Sequence, residues 1–277
     1  MLTSQRRVFR KFWHAVVPRS TLRDRQPVPF TLLGEPIVLF LDAAGQLVAF
    51  KDRCCHRTAR LSKGRCDGGV LECGCHGWRF ETWATSPLRA LENSCNNAHF
   101  SFVHRATFGE AAQPRPSRYE AVERESGFYA ETLIDAVNPP AFHTVSGTTE
   151  PVTTRLMRDA YALPFSRRLE IEYPSGVRHV IINCFTPIDD RRMQLVPWLF
   201  RNDIEADCPE AMLVVFDRQI TAEDREMLEA TDPDEPVDTR RRGVEFSMDS
   251  DRPDVLVRKQ LMELLARHGE QEIHAGA

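Results

Sequence analysis

Asp52-Arg53-Cys54-Cys55-His56-Arg57 and Cys73-Gly74-Cys75-His76-Gly77-Trp78 decide how the N-terminal part of this chain is read. The first row gives Cys-x-His, the second Cys-x-x-His, and sixteen residues lie between them. Two thiolates and two imidazoles on two loops suit a [2Fe-2S] cluster in which one iron takes Cys54 and Cys73 and the other takes His56 and His76. Neutral imidazole ligands raise the potential of such a cluster above that of an all-cysteine one. The same ligand set also suits structural zinc, and ligand identity alone leaves both open. Gly74 and Gly77 let backbone come close to the bound group and donate hydrogen bonds to it.

Outward from these rows the pattern is that of short antiparallel strands. Apolar runs at Phe30 to Leu33, Ile37 to Leu41 and Leu47 to Phe50 are separated by turn signals at Gly34-Glu35-Pro36 and Asp42-Ala43-Ala44-Gly45. Residues 1–84 therefore read as a small β-rich domain with its cysteines on loops, and 85–277 as a second domain. There, Ala90 to Val103 reads as a helix, Arg118 to Ile134 and Arg167 to Phe200 as alternating strands, and Pro209 to Ala230 and Pro253 to His268 as closing helices. Asp251 reads as a cap and Gly269 as a stop for the last of them. The fold class is α+β.

Composition narrows the function. The 277 residues are 42% hydrophobic and 27% charged with a formal net charge of -4, which lacks the basic excess of a nucleic-acid binder. The greasiest runs are strand-sized, so no membrane span is expected. Arg6, Arg7, Arg10 and Lys11 pass into Phe12-Trp13-His14 without an apolar signal core, which leads to an expectation of a cytoplasmic protein. In a reducing compartment, eight cysteines point to metal or redox use. Cys66, Cys184 and Cys208 read as small buried hydrophobes.

A second constellation lies in Glu92-Asn93-Ser94-Cys95-Asn96-Asn97-Ala98-His99-Phe100-Ser101-Phe102-Val103-His104. Five residues on a regular helix turn through about 140°, so His99 and His104 converge on one metal only if the helix ends or kinks between them. Two histidines in an aromatic stretch are also ordinary partly buried residues.

The segment "DRCCHRTARLSKGRCDGGVLECGCHGWRF" resembles the cluster-binding region of Rieske non-heme iron oxygenases, and "LENSCNNAHFSFVHRATFG" resembles the region with which they hold a mononuclear iron. "VVFDRQITAEDREMLEATDPDEP" is similar to the family's carboxylate-bearing helix, and the C-terminal segment resembles that of the pheophorbide/chlorophyllide a oxygenase and aromatic-acid demethylase subgroup. The resemblance implies a Rieske domain followed by a helix-grip-like antiparallel sheet. It implies Cys54, His56, Cys73 and His76 as cluster ligands, and His99, His104 and Asp224 as the facial triad of a mononuclear Fe(II). Glu223 is the nearest competitor of Asp224, while Asp217 and Glu226 are expected to face solvent. Cys55 and Cys75 are bystanders, with Ala59 standing where a partner cysteine for Cys75 would be.

The implied activity is oxygenation of a ring-containing organic substrate by O2, as hydroxylation or demethylation, with electrons from a reductase or ferredoxin. The implied assembly is a homotrimer, in which electrons pass from one chain's cluster to the next chain's iron. Two departures stand out. The family has a bridging aspartate where this chain has Asn96, and a much longer stretch between the two motifs than the dozen or so residues from Phe80 to Glu92. They suggest an alternative, a Rieske electron carrier or an impaired relative without oxygenase activity.

Overall fold

The computed structural model describes residues 14–272, apart from 23–25, 56, 76, 78, 118, 190 and 239–244 and the side chain of Asp189. The chain forms two compact units, residues 1–82 and 83–277.

In the first unit, β1 (Val28–Leu32), β2 (Glu35–Leu41) and β3 (Leu47–Lys51) form an antiparallel meander. Leu33 and Gly34 close the β1–β2 hairpin with φ values of 49° and 82°, a two-residue turn with both central residues left-handed. Val48 and Phe50 alternate with exposed neighbours on β3, and the Phe50 ring meets Phe40 edge-on at 5.2 Å. A second ladder pairs β4 (Arg65–Asp67) with β5 (Val70–Glu72), and β5 with β6 (Arg79–Trp83). Cys54 follows β3 and Cys73 follows β5, both on loops as the sequence suggested.

The second unit is an antiparallel meander of β7 (Glu120–Arg124), β8 (Gly127–Val137), β9 (Val152–Ala162), β10 (Ser166–Glu172), β11 (Arg178–Asp189) and β12 (Arg192–Arg201). Helices α1 (Pro87–Cys95), α4 (Glu210–Leu228) and α5 (Arg252–Arg267) accompany it, with short helices α2 (Phe100–Val103) and α3 (His143–Ser146) in its loops. One face of the sheet is covered. There Phe128, Tyr161, Phe185 and Leu195 pack with Leu91 of α1 and Leu261 of α5, and Met157, Leu169 and Ile171 pack with Phe108, Phe142 and Leu213 of α4. The uncovered face carries Val122 and Leu133, both 60% exposed.

The architecture is the expected α+β, a β-rich unit followed by an antiparallel sheet with C-terminal helices. Three local expectations are corrected. The helix read over Ala90 to Val103 stops at Cys95, because Asn96 is extended (φ -103°, ψ 133°), and restarts as α2. Strand β9 is absent from the sequence reading, because its inward face holds Thr153, Arg155 and Asp159 and so lacks apolar alternation. Asp251 makes no capping bond into α5; its carboxylate instead accepts from the Met248 N–H and the Asn96 amide. Gly269 does end that helix, with φ 70°.

Candidate metal centres and their cavity

Cys54 and Cys73 are each 1% exposed, whereas Cys55 and Cys75 face solvent. His56 and His76 lie outside the described residues. Backbone packing brings the two cysteine loops together: a Cβ on Gly64 would stand 1.8 Å from the Glu72 carbonyl oxygen, and one on Gly74 2.6 Å from that of Lys63. Only glycine fits such approaches. Asp52, 5% exposed, fixes the base of the first loop by accepting from the Ser62 N–H (2.7 Å) and hydroxyl (2.6 Å).

In the second unit, Ser86 caps α1 by accepting from the Arg89 N–H, Pro87 occupies its first turn, and the helix delivers Asn93 at its C-terminal end. The extended residue Asn96 then redirects the chain, so that His99 enters α2 and His104 leaves it. This break meets the condition set by the five-residue spacing. Gly109 lets the turn fold back, donating to the His104 carbonyl at 2.8 Å where a Cβ would stand 2.0 Å from the Phe100 carbonyl oxygen.

His99 Nε2 and His104 Nε2 are 3.1 Å apart, and Asp224 Oδ1 on α4 lies 3.1 Å from His104 Nε2 and 3.5 Å from His99 Nε2. Two ligands about 2.1 Å from a shared ion and 90° apart stand about 3.0 Å from each other, so these edges fit one face of an octahedral ion. Burial pushes the Asp224 carboxyl up, but the two imidazoles beside it outweigh burial and hold it well below the usual carboxylate range. Burial lowers His99, with Asp224 opposing. It lowers His104 too, but Asp224 and Glu223 together reverse the sign.

Glu223 does not compete for the same place. Its Oε2 lies 2.9 Å from His104 Nδ1, on the far side of the ring, and also accepts from the Thr107 hydroxyl at 2.9 Å. A carboxylate there fixes the tautomer that leaves Nε2 free to bind a metal. Asn93 donates to Asp224 Oδ1 at 2.8 Å. Asn93 and Thr107 went unnoticed in the sequence; the position of Asn93 one helical turn before Asn96 is the signal that could have found it. Glu226 is exposed as expected, whereas Asp217 is corrected, because it lines the cavity instead of facing solvent.

Asn96 points away from the histidines. Its amide donates to Asp254 (2.7 Å) and Asp251 (3.0 Å), and its carbonyl oxygen accepts from the Ala98 N–H. His99, His104 and Asp224 open onto a cavity of about 130 Å³ between α4 and the covered sheet face, walled by Phe100, Phe108, Phe142, Met157, Leu169 and Phe216. Ile181 of β11 and Leu199 of β12 also line it, while Phe185 and Leu195 of the same strands belong to the neighbouring core.

Residues 12–100 match the Rieske [2Fe-2S] domain, and residues 83–267 match the vanillate O-demethylase oxygenase C-terminal domain. Methylxanthine N1-demethylase NdmA of Pseudomonas putida is 23% identical over 345 positions, spanning 98% of this chain and 93% of that protein. An alignment of 345 positions against 277 residues leaves at least 68 positions without a counterpart in this chain. Chlorophyllide a oxygenase of Chlamydomonas reinhardtii is 34% identical over 138 residues, 47% of this chain and 19% of that protein. The structure of NdmA from Pseudomonas putida CBB5 with caffeine superposes with a TM-score of 0.56 at 20% identity, covering 96% of this chain and 94% of that one.

Proposed function

The chain belongs to the Rieske non-heme iron oxygenases, and from that membership we propose a division of labour between its two units. Cys54, His56, Cys73 and His76 hold the [2Fe-2S] cluster, and His99, His104 and Asp224 hold a mononuclear Fe(II). Bound iron supplies dioxygen activation, and the cluster supplies electrons singly, received from a separate reductase or ferredoxin. The product is a hydroxylated or demethylated ring compound. What carries this reading is the approach of His99, His104 and Asp224, whose ligand atoms all lie within 4.8 Å of one another at the mouth of an apolar cavity.

The remaining residues serve position and exclusion. Glu223 holds the His104 ring through Nδ1, and Asn93 holds the Asp224 carboxylate. The phenylalanines keep bulk water from the reacting ring. A cavity of about 130 Å³ resembles in size the ~150 Å³ void that accepts benzene in an engineered protein. It therefore suits a substrate with one ring and not a tetrapyrrole. The resemblance to the family further supports a homotrimer, and among the described residues no helix is long and apolar enough to cross a membrane.

A second reading keeps the cluster without the oxygenase chemistry. It draws on Asn96, an amide where the family has a bridging acid and engaged with Asp251 and Asp254. Iron and zinc per chain, the low-temperature EPR spectrum of dithionite-reduced protein, and substrate-dependent oxygen uptake with a reductase decide between them. A Rieske signal, about three irons per chain and coupled uptake are expected. Two irons with the same signal and no uptake would favour the carrier, and zinc without a signal would overturn both.

A further inference from the structure

Strand β9, hidden in the sequence by its polar inward face, carries an unexplained charge into the cavity. Its inward residues are Thr153, Arg155, Met157, Asp159 and Tyr161. Asp159 is accounted for, since it accepts from Arg167 Nε at 2.5 Å and from the Tyr119 hydroxyl at 3.1 Å. Arg155 is 4% exposed, yet among the described residues it forms no ion pair with any carboxylate. Its Nη2 donates to the Val137 carbonyl at 2.9 Å, its Nε donates to the Thr153 hydroxyl at 3.4 Å, and its guanidinium stacks 5.0 Å from the Tyr173 ring centre.

A guanidinium has five N–H donors, so three remain without an acceptor among the described residues. The acid beside His179 is Asp203, which lies 3.3 Å from His179 Nε2 and 3.5 Å from Arg201 Nη1; its Oδ2 has no hydrogen-bond partner among the described residues, and it makes no ion pair with Arg155. Asp217 lines the same cavity from α4. Burial lowers the Arg155 guanidinium from its ordinary value, and the influence opposing burial is Tyr173 and not a carboxylate. A buried cation in this state has lost its water without gaining a counter-ion.

The cavity thus has two polar ends. Arg167 pairs with Asp159 beside Tyr161, which packs in one cluster with Cys95 at the end of α1 whose Asn93 holds Asp224, so this is the triad end. Arg155 lies four residues before Asp159 on β9, about 13 Å along the strand, beside Tyr173 and His179. Between the ends the wall is Met157, Leu169, Ile171 and Ile181. We infer that Arg155 is a specificity-determining anchor for an anionic substituent of the substrate, a carboxylate carried on the ring, held at the end of the cavity away from the triad. The planar fork of a guanidinium matches a carboxylate with two parallel hydrogen bonds, and the three unused N–H groups supply them. The inference rests on the cavity being the substrate site of the oxygenase proposed above.

The test compares 3-methoxybenzoate with its neutral isostere 3-methoxybenzamide, binding to the full-length metal-loaded protein by calorimetry, with iron assayed separately. The acid is expected to bind at least tenfold more tightly than the amide. In Arg155→Met that preference should vanish, chiefly through lost affinity for the acid, with the melting temperature unchanged or raised. Arg155→Lys should keep part of the preference. Equal affinity for acid and amide, or binding of neither, in the wild-type protein overturns the anchor whatever the variants do. Full iron and coupled oxygen uptake on neutral rings, without acid preference, would defeat this inference and leave the oxygenase standing. Acid preference in protein that holds no mononuclear iron would do the reverse.

Discussion

Replacing Glu223 with alanine separates a ligand from a residue that orients one. In the structure Glu223 Oε2 is the acceptor for His104 Nδ1 and for Thr107, both at 2.9 Å. Thr107 keeps an alternative acceptor in the His104 carbonyl at 3.2 Å, so the loss falls on the imidazole, which is 1% exposed. Leaving a buried N–H without a partner costs roughly 1–3 kcal/mol of stability. Freeing the ring to rotate and change tautomer weakens metal binding by about 10–100-fold, or about 1.4–2.7 kcal/mol. The assay is mononuclear iron retained against a graded chelator, with the Rieske EPR signal as the internal control. Glu223→Ala should shift the retention curve by one to two decades, Glu223→Gln by less, and Asp224→Ala should abolish retention. Wild-type retention in Glu223→Ala would refute the orienting role. Retention in Asp224→Ala with loss in Glu223→Ala would make Glu223 the ligand.

Three further outcomes follow from the packing. Arg258 forms a buried two-pronged pair with Glu92, its Nη2 2.8 Å from Glu92 Oε2, so Arg258→Met should cost about 3–5 kcal/mol in urea unfolding. Arg258→Met/Glu92→Leu should recover most of it, and an unrecovered loss would mean that packing and not charge is at stake. Asn96→Asp sets a third carboxylate against Asp251 and Asp254 and removes two donated hydrogen bonds, so it should destabilise the protein by about 2–3 kcal/mol at pH 8. Adding Asp254→Asn should restore a donor, and a stable single variant would show that the cluster of acids tolerates the charge. Burial pushes the Glu235 carboxyl up to about 7, with Ser86 and Arg89 opposing. The folded state therefore holds this proton more tightly than the unfolded one, and the stability it contributes is present below pH 4.5 and lost as pH rises through 7. Calorimetry should show Glu235→Gln gaining on the wild type across that window by at most about 3 kcal/mol; a pH-independent difference would contradict the assignment.

Much of the site was legible because metal ligation leaves marks in sequence that survive weak overall identity. Cys54 and Cys73 stand at fixed offsets from His56 and His76, and His99 and His104 sit in a stretch with a family likeness. Strands such as β3 were legible because one face is buried and the other wet, which imposes a period of two. Strand β9 was not, because its buried face carries Arg155 and Asp159, and the cation that pairs with Asp159 is Arg167 on β10. The helix read through Asn96 failed for a related reason. The only local mark of its end is the Asn96 side chain, which accepts from the Ala98 N–H, and the break is further stabilised by Asp251 and Asp254, more than 150 residues away.

The sequence by itself determined the α+β class, the likeness to the Rieske oxygenases and the candidate metal ligands. Tertiary structure decided the assignments that depend on convergence. It placed Asp224 against the two histidines and Glu223 behind one of them, although the two acids are adjacent in the chain, because successive residues on a helix point about 100° apart. It also turned Arg155 into a cavity where, among the described residues, it has no counter-ion. A one-dimensional pattern records which side chains are present and how they alternate. The electrostatic state of a buried group depends on the partners that come within a few ångströms, and those are brought together by the fold.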